Sequence, residues 1–291
     1  MNLKYQRPTT AREFGDALKL HLHLIPVGAT TYHVLTPRPN TQVRFSTNFY
    51  HETHHILSDT AGARFLGRLL WGLAFQRQPN TLIFLGGEFL EPTPFDAESS
   101  DPICLVPAHL TTLEAKKLAI VRQKMRFSRS IKTVHWQTWG LDETLGFEGD
   151  WWQHPLYEQW NSAEAQPWRD SETVRRAGKM VCYSAMPLAL QIAALKTFRL
   201  QPDKHRHQFG MDYCEIATHW KSKSFFWSCE GEIQVFSAYA QMLRDASLAR
   251  QEIEVEYGAV TTLENDRSRV QERALQIAQR RSEAKKSEVN P

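Results

Sequence analysis

Between residues 18 and 87 the apolar residues change period twice, and that change restricts the chain to a fold that mixes sheet with helix. Residues 18–25 (LKLHLHLI) put Leu18, Leu20, Leu22 and Leu24 on one side and Lys19, His21 and His23 on the other, the period of a half-buried strand. Residues 30–36 (TTYHVLT) are rich in β-branched and aromatic types and read as a second strand. A Pro-Arg-Pro-Asn turn at 37–40 follows, and Val43, Phe45 and Phe49 continue as a third strand. The period then becomes helical: Ser58 or Asp59 caps a helix to about Arg77, with Phe65, Leu66, Leu69, Leu70 and Leu73 as its apolar stripe. Residues 81–87 (TLIFLGG) are a short apolar run closed by glycines, the mark of a buried strand.

Beyond residue 90 the pattern becomes more helical. A polar, proline-rich loop spans 91–102, a helix is predicted over 113–125, and 131–139 alternates like a strand. Helices are predicted over 172–186 and 187–199, a strand over 224–228, a helix over 232–250 and a strand over 253–257. Residues 263–286 form a strongly polar helix whose thin stripe is Leu263, Val270, Ala274 and Ile277. The predicted fold class is α+β: a mixed or antiparallel sheet in the N-terminal half, then a mainly helical half ending in a protruding polar helix. Three units follow: residues 1–100, an α/β part carrying the histidines; 101–262, a mixed tryptophan-rich and helical part; and 263–291, the terminal helix and tail.

Composition excludes several classes. Hydrophobic residues at 42% and charged residues at 23% belong to a folded chain, not a disordered one. A net charge of +3 is too small to demand an acidic partner, so nucleic-acid binding would need a local patch. No eighteen apolar residues run together, and Lys19, His21 and His23 interrupt the only apolar stretch near the start. Cys104, Cys182, Cys214 and Cys229 form no C-x-x-C pair, and with no export signal they read as reduced thiols of a cytoplasmic protein.

Six of the 12 histidines precede residue 56, and the sequence His51-Glu52-Thr53-His54-His55 fits H-E-x-x-H. On a helix, positions four apart share a face, so His51 and His55 would hold one zinc ion while Glu52 takes a proton from its bound water. The pentapeptide resembles the motif of zincin metallopeptidases, and the resemblance covers these residues with the apolar Ile56 and Leu57 after them. It implies a zinc-dependent, peptidase-like hydrolase with Glu52 as catalytic base and His51 and His55 as metal ligands. Position 61 is alanine rather than the third histidine of the extended pattern, so Glu88 or Glu91 would complete the set, with Glu88 taken as the candidate. The other reading of these residues is a partly exposed histidine cluster on a strand, which would turn Glu52 away from both imidazoles. His21 and His23, two apart on one strand face, are a further pair able to chelate.

The second functional class rests on cations. Residues 116–132 hold Lys116, Lys117, Arg122, Lys124, Arg126, Arg129 and Lys132 without an acid, and such groups neutralise phosphates with release of counterions. Arg169, Arg175, Arg176, Lys179 and the stretch 204–207 would extend a groove if the fold gathered them; otherwise all are solvated helix faces. Six of nine tryptophans lie between 136 and 168, among acids that would repel phosphate, so they are expected to pack or to meet a protein partner together with the terminal helix. The alternative to a hydrolase is therefore a non-catalytic, nucleic-acid-associated subunit of a larger assembly. No G-x-S-x-G or G-x-G-x-x-G motif occurs, residues 62–68 imitate a P-loop with Arg68 where lysine belongs, and Arg44 with His51 matches only the permissive R-x(4–6)-H spacing of HEPN ribonucleases.

Overall fold

The computed structural model describes residues 18–112, 114–147, 153–203, 210–221, 226–260 and 264–289. Its fold is mixed α+β, with two sheets, strands mostly in the N-terminal half and two long helices at the C-terminal end. Strands β1 (Lys19–Val27), β2 (Thr30–Pro37), β5 (Thr81–Leu85), β6 (Ile103–Pro107), β7 (Lys132–His135), β8 (Thr173–Ala177) and β9 (Met180–Ala185) build a sheet ordered β7-β1-β2-β5-β6-β9-β8. Strands β3 (Phe45–Tyr50), β4 (Thr53–Ser58), β10 (Met211–Lys221) and β11 (Phe226–Phe236) build a smaller one ordered β10-β11-β4-β3. Both are mixed: β2 and β5, β6 and β9, and β4 and β11 run parallel, and the other pairs are antiparallel. The loop 91–102 links β5 to β6, which are neighbours in the large sheet.

Two faces of the large sheet are covered differently. Helices α1 (Thr60–Ala74) and α6 (Pro187–Phe198) pack on each other and into the main core, where Leu66, Leu69, Leu70 and Trp71 meet Leu105, Tyr183, Leu190 and, from the small sheet, Ile56 and Ile233. Of the two cap candidates, Asp59 caps α1 by accepting from Gly62 N at 2.8 Å, while Ser58 Oγ donates to Arg44 O at 2.7 Å. The opposite face is covered by a short helix, α2 (Ala115–Met125), whose Leu118 and Val121 press on Ile25, Val34, Cys104 and Met180. Strand β1 serves both cores, so Leu20 is buried on the α1 side while Ile25 and Val27 are buried on the α2 side. That corrects the simple alternation: His23 lies inside and Leu24 is exposed.

Three further elements differ from the sequence reading. Residues 172–186 are not a helix but the β8–β9 hairpin, because Gly178 and Lys179 both take left-handed φ (61° and 59°) and make a two-residue turn that matches strand twist. Gly178 is required there on a second count, since a Cβ would stand 2.6 Å from Ala119 N of α2. The helix expected from 232 instead begins at Tyr239: residues up to Phe236 pair with β4 and β10, and α7 spans Tyr239–Tyr257. The alternation at 253–257 belongs to the end of α7, where Ile253 is buried while Val255 and Tyr257 face solvent.

The remaining helices, α3 (Leu141–Leu145), α4 (Pro155–Asn161) and α5 (Gln166–Asp170), are short and lie between β7 and β8. The polar terminal helix is α8 (Glu264–Val289), and it folds back on α7. Its predicted stripe is used: Val270 is buried against Ala249 and Ile253, with Ala274 and Ile277 beside them, while Leu263 lies outside the described residues. Arg273 bridges Glu252 and Glu256 of α7, and Arg267 reaches Asp96 and Glu98 in the 91–102 loop.

Candidate functional site

The H-E-x-x-H residues do not sit on a helix. Tyr50 pairs with Thr53, which leaves His51 and Glu52 as the two-residue turn of the β3–β4 hairpin, at φ 50° and 61°. This corrects the zincin geometry, which needs one turn of α-helix to bring His51 and His55 to a common ion. At the exposed tip, His51 lies against the Tyr50 ring at 4.0 Å, and Glu52 is in solvent. Alternation along β4 then sends His54 towards Phe49, with ring centroids 4.6 Å apart, and His55 to the opposite face. Glu88 is exposed in the 3-10 turn Gly87–Phe89, and Glu91 pairs with Arg44 at 3.0 Å. Among the described residues, the ligand atoms of His51, Glu52, His55 and Glu88 form no group of three within 4.8 Å of one another. The His21–His23 pair is not a chelate either: His23 is buried, with Nδ1 2.9 Å from Ser128 Oγ and Nε2 3.3 Å from Thr36 Oγ1.

His55 instead belongs to a polar row that crosses the small sheet in register. Asn48 of β3 faces His55 of β4, His55 faces Glu232 of β11, and Glu232 faces Glu215 of β10. Residues directly opposite one another in neighbouring strands point to the same side, so four side chains share one face. His55 Nδ1 lies 2.6 Å from Asn48 Oδ1, and its Nε2 lies 3.5 Å from Glu232 Oε2; that carboxylate oxygen accepts from Gln234 Nε2 at 2.7 Å.

A break in β10 and β11 adds a fifth group. Ala217 takes a left-handed φ of 53°, and the ladder passes from Ile216–Gly231 to Thr218–Cys229 without pairing Ala217 to Glu230. Glu230 and Gly231 both turn towards β8: Glu230 Oε2 accepts from Val174 N at 3.1 Å, and a Cβ on Gly231 would lie 2.5 Å from Val174 Cγ2. With the alternation broken, Cys229 and Glu232 point the same way although three residues apart. Cys229 Sγ and carboxylate oxygens of Glu215 and Glu232 consequently lie within 4.8 Å of one another. Burial pushes the Cys229 thiol up to about 11, with Glu215 and Glu232 adding to the effect against a hydrogen bond to the Gly231 carbonyl. His55 is pushed down to about 4, first by burial and then by His54 and His51, so its imidazole is neutral. Imidazole nitrogen, sulfur and carboxylate oxygen are together the donor set of a borderline divalent cation. Sequence reasoning missed Glu215, Cys229 and Glu232 because a helical reading of 232–250 hid the strand that aligns them.

The cations of 116–132 lie on α2, on the loop after it and at the start of β7, and Lys124 Nζ donates to the Pro26 carbonyl of β1 at 2.6 Å. Lys116, Lys124, Arg126, Arg129 and Lys132 are exposed, and Lys117 and Arg122 half-buried. Among the described residues the one carboxylate paired with any of them is Glu114, 2.6 Å from Lys117 Nζ. Phe127 stands between Arg126 and Arg129 and is 86% exposed, with Ile131 also in solvent. The loop that carries it is fastened at both ends: Phe127 N donates to Lys124 O at 3.1 Å, Ser128 is held by His23, and Ile131 N donates to Leu22 O at 2.8 Å. Lys179, exposed at the β8–β9 turn beside Ala119, joins this surface. The wider groove is not assembled, because Arg176 pairs with Asp101 and Arg169 packs over Trp160 and its carbonyl. Residues 204–207 lie outside the described residues.

The tryptophans pack inward. Trp136 and Trp160 are buried, Trp168 lies against the same core, and Trp136 Nε1 donates to Arg68 O at 2.9 Å. Trp151 and Trp152 lie outside the described residues. No helix among the described residues is long and apolar enough to cross a membrane. No family model, no curated protein and no solved structure matches this chain.

Proposed function

We propose that the chain is a nucleic-acid-binding component that grips single-stranded phosphate backbone with α2 and the loop after it. The observation that carries this reading is Phe127, held out in solvent on a fastened loop between two arginines that have no carboxylate partner among the described residues. An exposed aromatic ring costs a monomer free energy in water and gains it by stacking on an unpaired base, worth about 1–3 kcal/mol per base. Lys116, Lys124, Arg126, Arg129 and Lys132 supply the counterion-releasing charge around it. The peptidase-like alternative lacks its geometric basis, since Glu52 and His51 point into solvent from a hairpin turn.

Fluorescence anisotropy with single-stranded oligonucleotides tests the reading. Each phosphate neutralised contributes about −0.7 to the slope of log affinity against log salt. Replacing Lys116, Lys124, Arg126 and Arg129 together by alanine should flatten that slope by about 3 and weaken binding at low salt. A slope near zero in the unmodified chain refutes the proposal.

A further inference from the structure

We propose that Glu215, Cys229, Glu232 and His55 form a binding site for a zinc-class divalent cation on the outer face of the small sheet. The site does not rest on the nucleic-acid reading, which uses a different sheet. Donors from three strands converge there: a thiol and two carboxylates within 4.8 Å of one another, and an imidazole nitrogen 3.5 Å from one of those carboxylates.

Three features make this more than a chance meeting of polar groups. First, the sheet places two carboxylates directly opposite one another, Glu215 against Glu232, an arrangement that repels unless a cation lies between them. Among the described residues no lysine or arginine ion-pairs with either carboxylate, and the nearby Lys196 Nζ donates to the Glu215 main-chain carbonyl at 3.1 Å instead. Second, His55 is only 5% exposed, and its Nδ1 is occupied by Asn48 while Nε2 is turned to Glu232. An acceptor on the far nitrogen of an imidazole fixes the tautomer that presents the near nitrogen as a ligand, which is how metal-bound histidines are usually held. Third, Cys229 reaches this face only through the ladder break at Ala217, a left-handed conformation that costs a non-glycine residue free energy.

The donor types decide the class of ion. Calcium and magnesium take oxygen ligands and have no use for sulfur or imidazole, whereas zinc accepts all three donors in a four-coordinate shell. Binding would exchange the thiol proton for the ion, with no change of oxidation state.

Cobalt(II), titrated into the untagged full chain, reads the site directly because a cobalt–thiolate bond absorbs in the near ultraviolet. The expected result is a saturable charge-transfer band at one equivalent that zinc displaces. Cys229→Ser should abolish it, whereas Cys214→Ser should keep it, since Cys214 packs into the main core on the other side of the sheet. Glu215 is exposed, so Glu215→Gln probes the site without threatening the fold and should weaken binding at least tenfold. The proposal is overturned by absence of the band in the unmodified chain, by a band that survives Cys229→Ser, or by unchanged affinity in Glu215→Gln.

Discussion

The cationic face over the large sheet and the polar row across the small sheet hold charge in opposite surroundings. On α2 and its loop the charges stand in water, with apolar Leu118 and Val121 beneath them anchoring the helix. In the small sheet the polar groups are drawn partly inside: His55 is buried, Cys229 and Glu232 are half-covered, and Cys229 Sγ lies within 4.8 Å of two carboxylates. Removing a charge from the first face should therefore alter binding without altering stability. Removing one from the second should alter stability, with a sign that depends on whether a cation is present.

The largest effect should come from the anchor rather than from any charge. Leu118 is fully buried beneath α2, and among the described residues α2 is the one helix closing that face of the large sheet. Leu118→Ala should cost about 2–5 kcal/mol in urea unfolding and weaken oligonucleotide binding along with it. A cost below about 1 kcal/mol would mean that α2 is not fastened as a unit, and the contrast between a rigid cationic face and a buried polar row would fail.

Next is Phe127→Ala, which should leave the unfolding midpoint within about 0.5 kcal/mol of the unmodified chain, because the ring packs on almost nothing. The same substitution should remove about 1–3 kcal/mol of affinity for single strands and spare a duplex of equal charge, whose bases are already stacked. Equal losses on both substrates would reduce the ring to packing and remove base stacking from the proposed function.

A smaller effect of opposite sign sharpens the small-sheet side. In metal-free protein, Glu232→Gln should stabilise the fold by up to about 1 kcal/mol, because it relieves the carboxylate opposition with Glu215. With zinc at saturation the same substitution should instead destabilise, as a ligand is lost. Chemical denaturation with and without zinc reads both signs, and a destabilised metal-free variant would show that Glu232 is held by its hydrogen bonds alone.

How much of this was legible in the sequence depended on range. The α1 helix was readable to within one residue at its start, where Ser58 and Asp59 both fit the cap and the structure uses Asp59, because a stripe with a period near four and a short polar cap are local signals. The α8 stripe was readable for the same reason, since Val270, Ala274 and Ile277 need only one partner helix. Segment 173–185 was not, because Arg-Ala-Gly-Lys-Met satisfies a helical pattern, and only the left-handed pair Gly178–Lys179 makes it a hairpin. The histidine motif failed for a related reason. Five residues in order fix a metal site only when the backbone between them coils, and here the same residues make a two-residue turn. What lay beyond sequence altogether was register: Asn48, His55, Glu232 and Glu215 are far apart along the chain and become neighbours only once three strand pairings are set. His55 was thus singled out by a motif whose geometry is absent, and it finds its chemical partners across the sheet.

The smallest effect tests the seam where the cationic loop meets the large sheet. His23 is buried between Ser128 of that loop and Thr36 of β2, and its pKa is lowered, first by burial and then by neighbouring His21. Above the ordinary histidine value of 6.5 the ring is neutral in folded and unfolded chains alike, so it contributes no pH dependence. As pH falls below that value the unfolded chain binds a proton that the folded chain resists, and stability falls until the folded pKa is also passed. Urea midpoints should accordingly decline as pH falls below the ordinary histidine value of 6.5, and His23→Gln, which keeps hydrogen-bonding capacity without titrating, should flatten part of that decline. Because Ser128 lies next to Phe127, the same acidification should loosen oligonucleotide binding in the unmodified chain, against the strengthening that added positive charge alone would give. A binding curve that tightens monotonically on acidification would show that the loop is held without His23, and that the two sides of the molecule differ in charge but not in how firmly they are built.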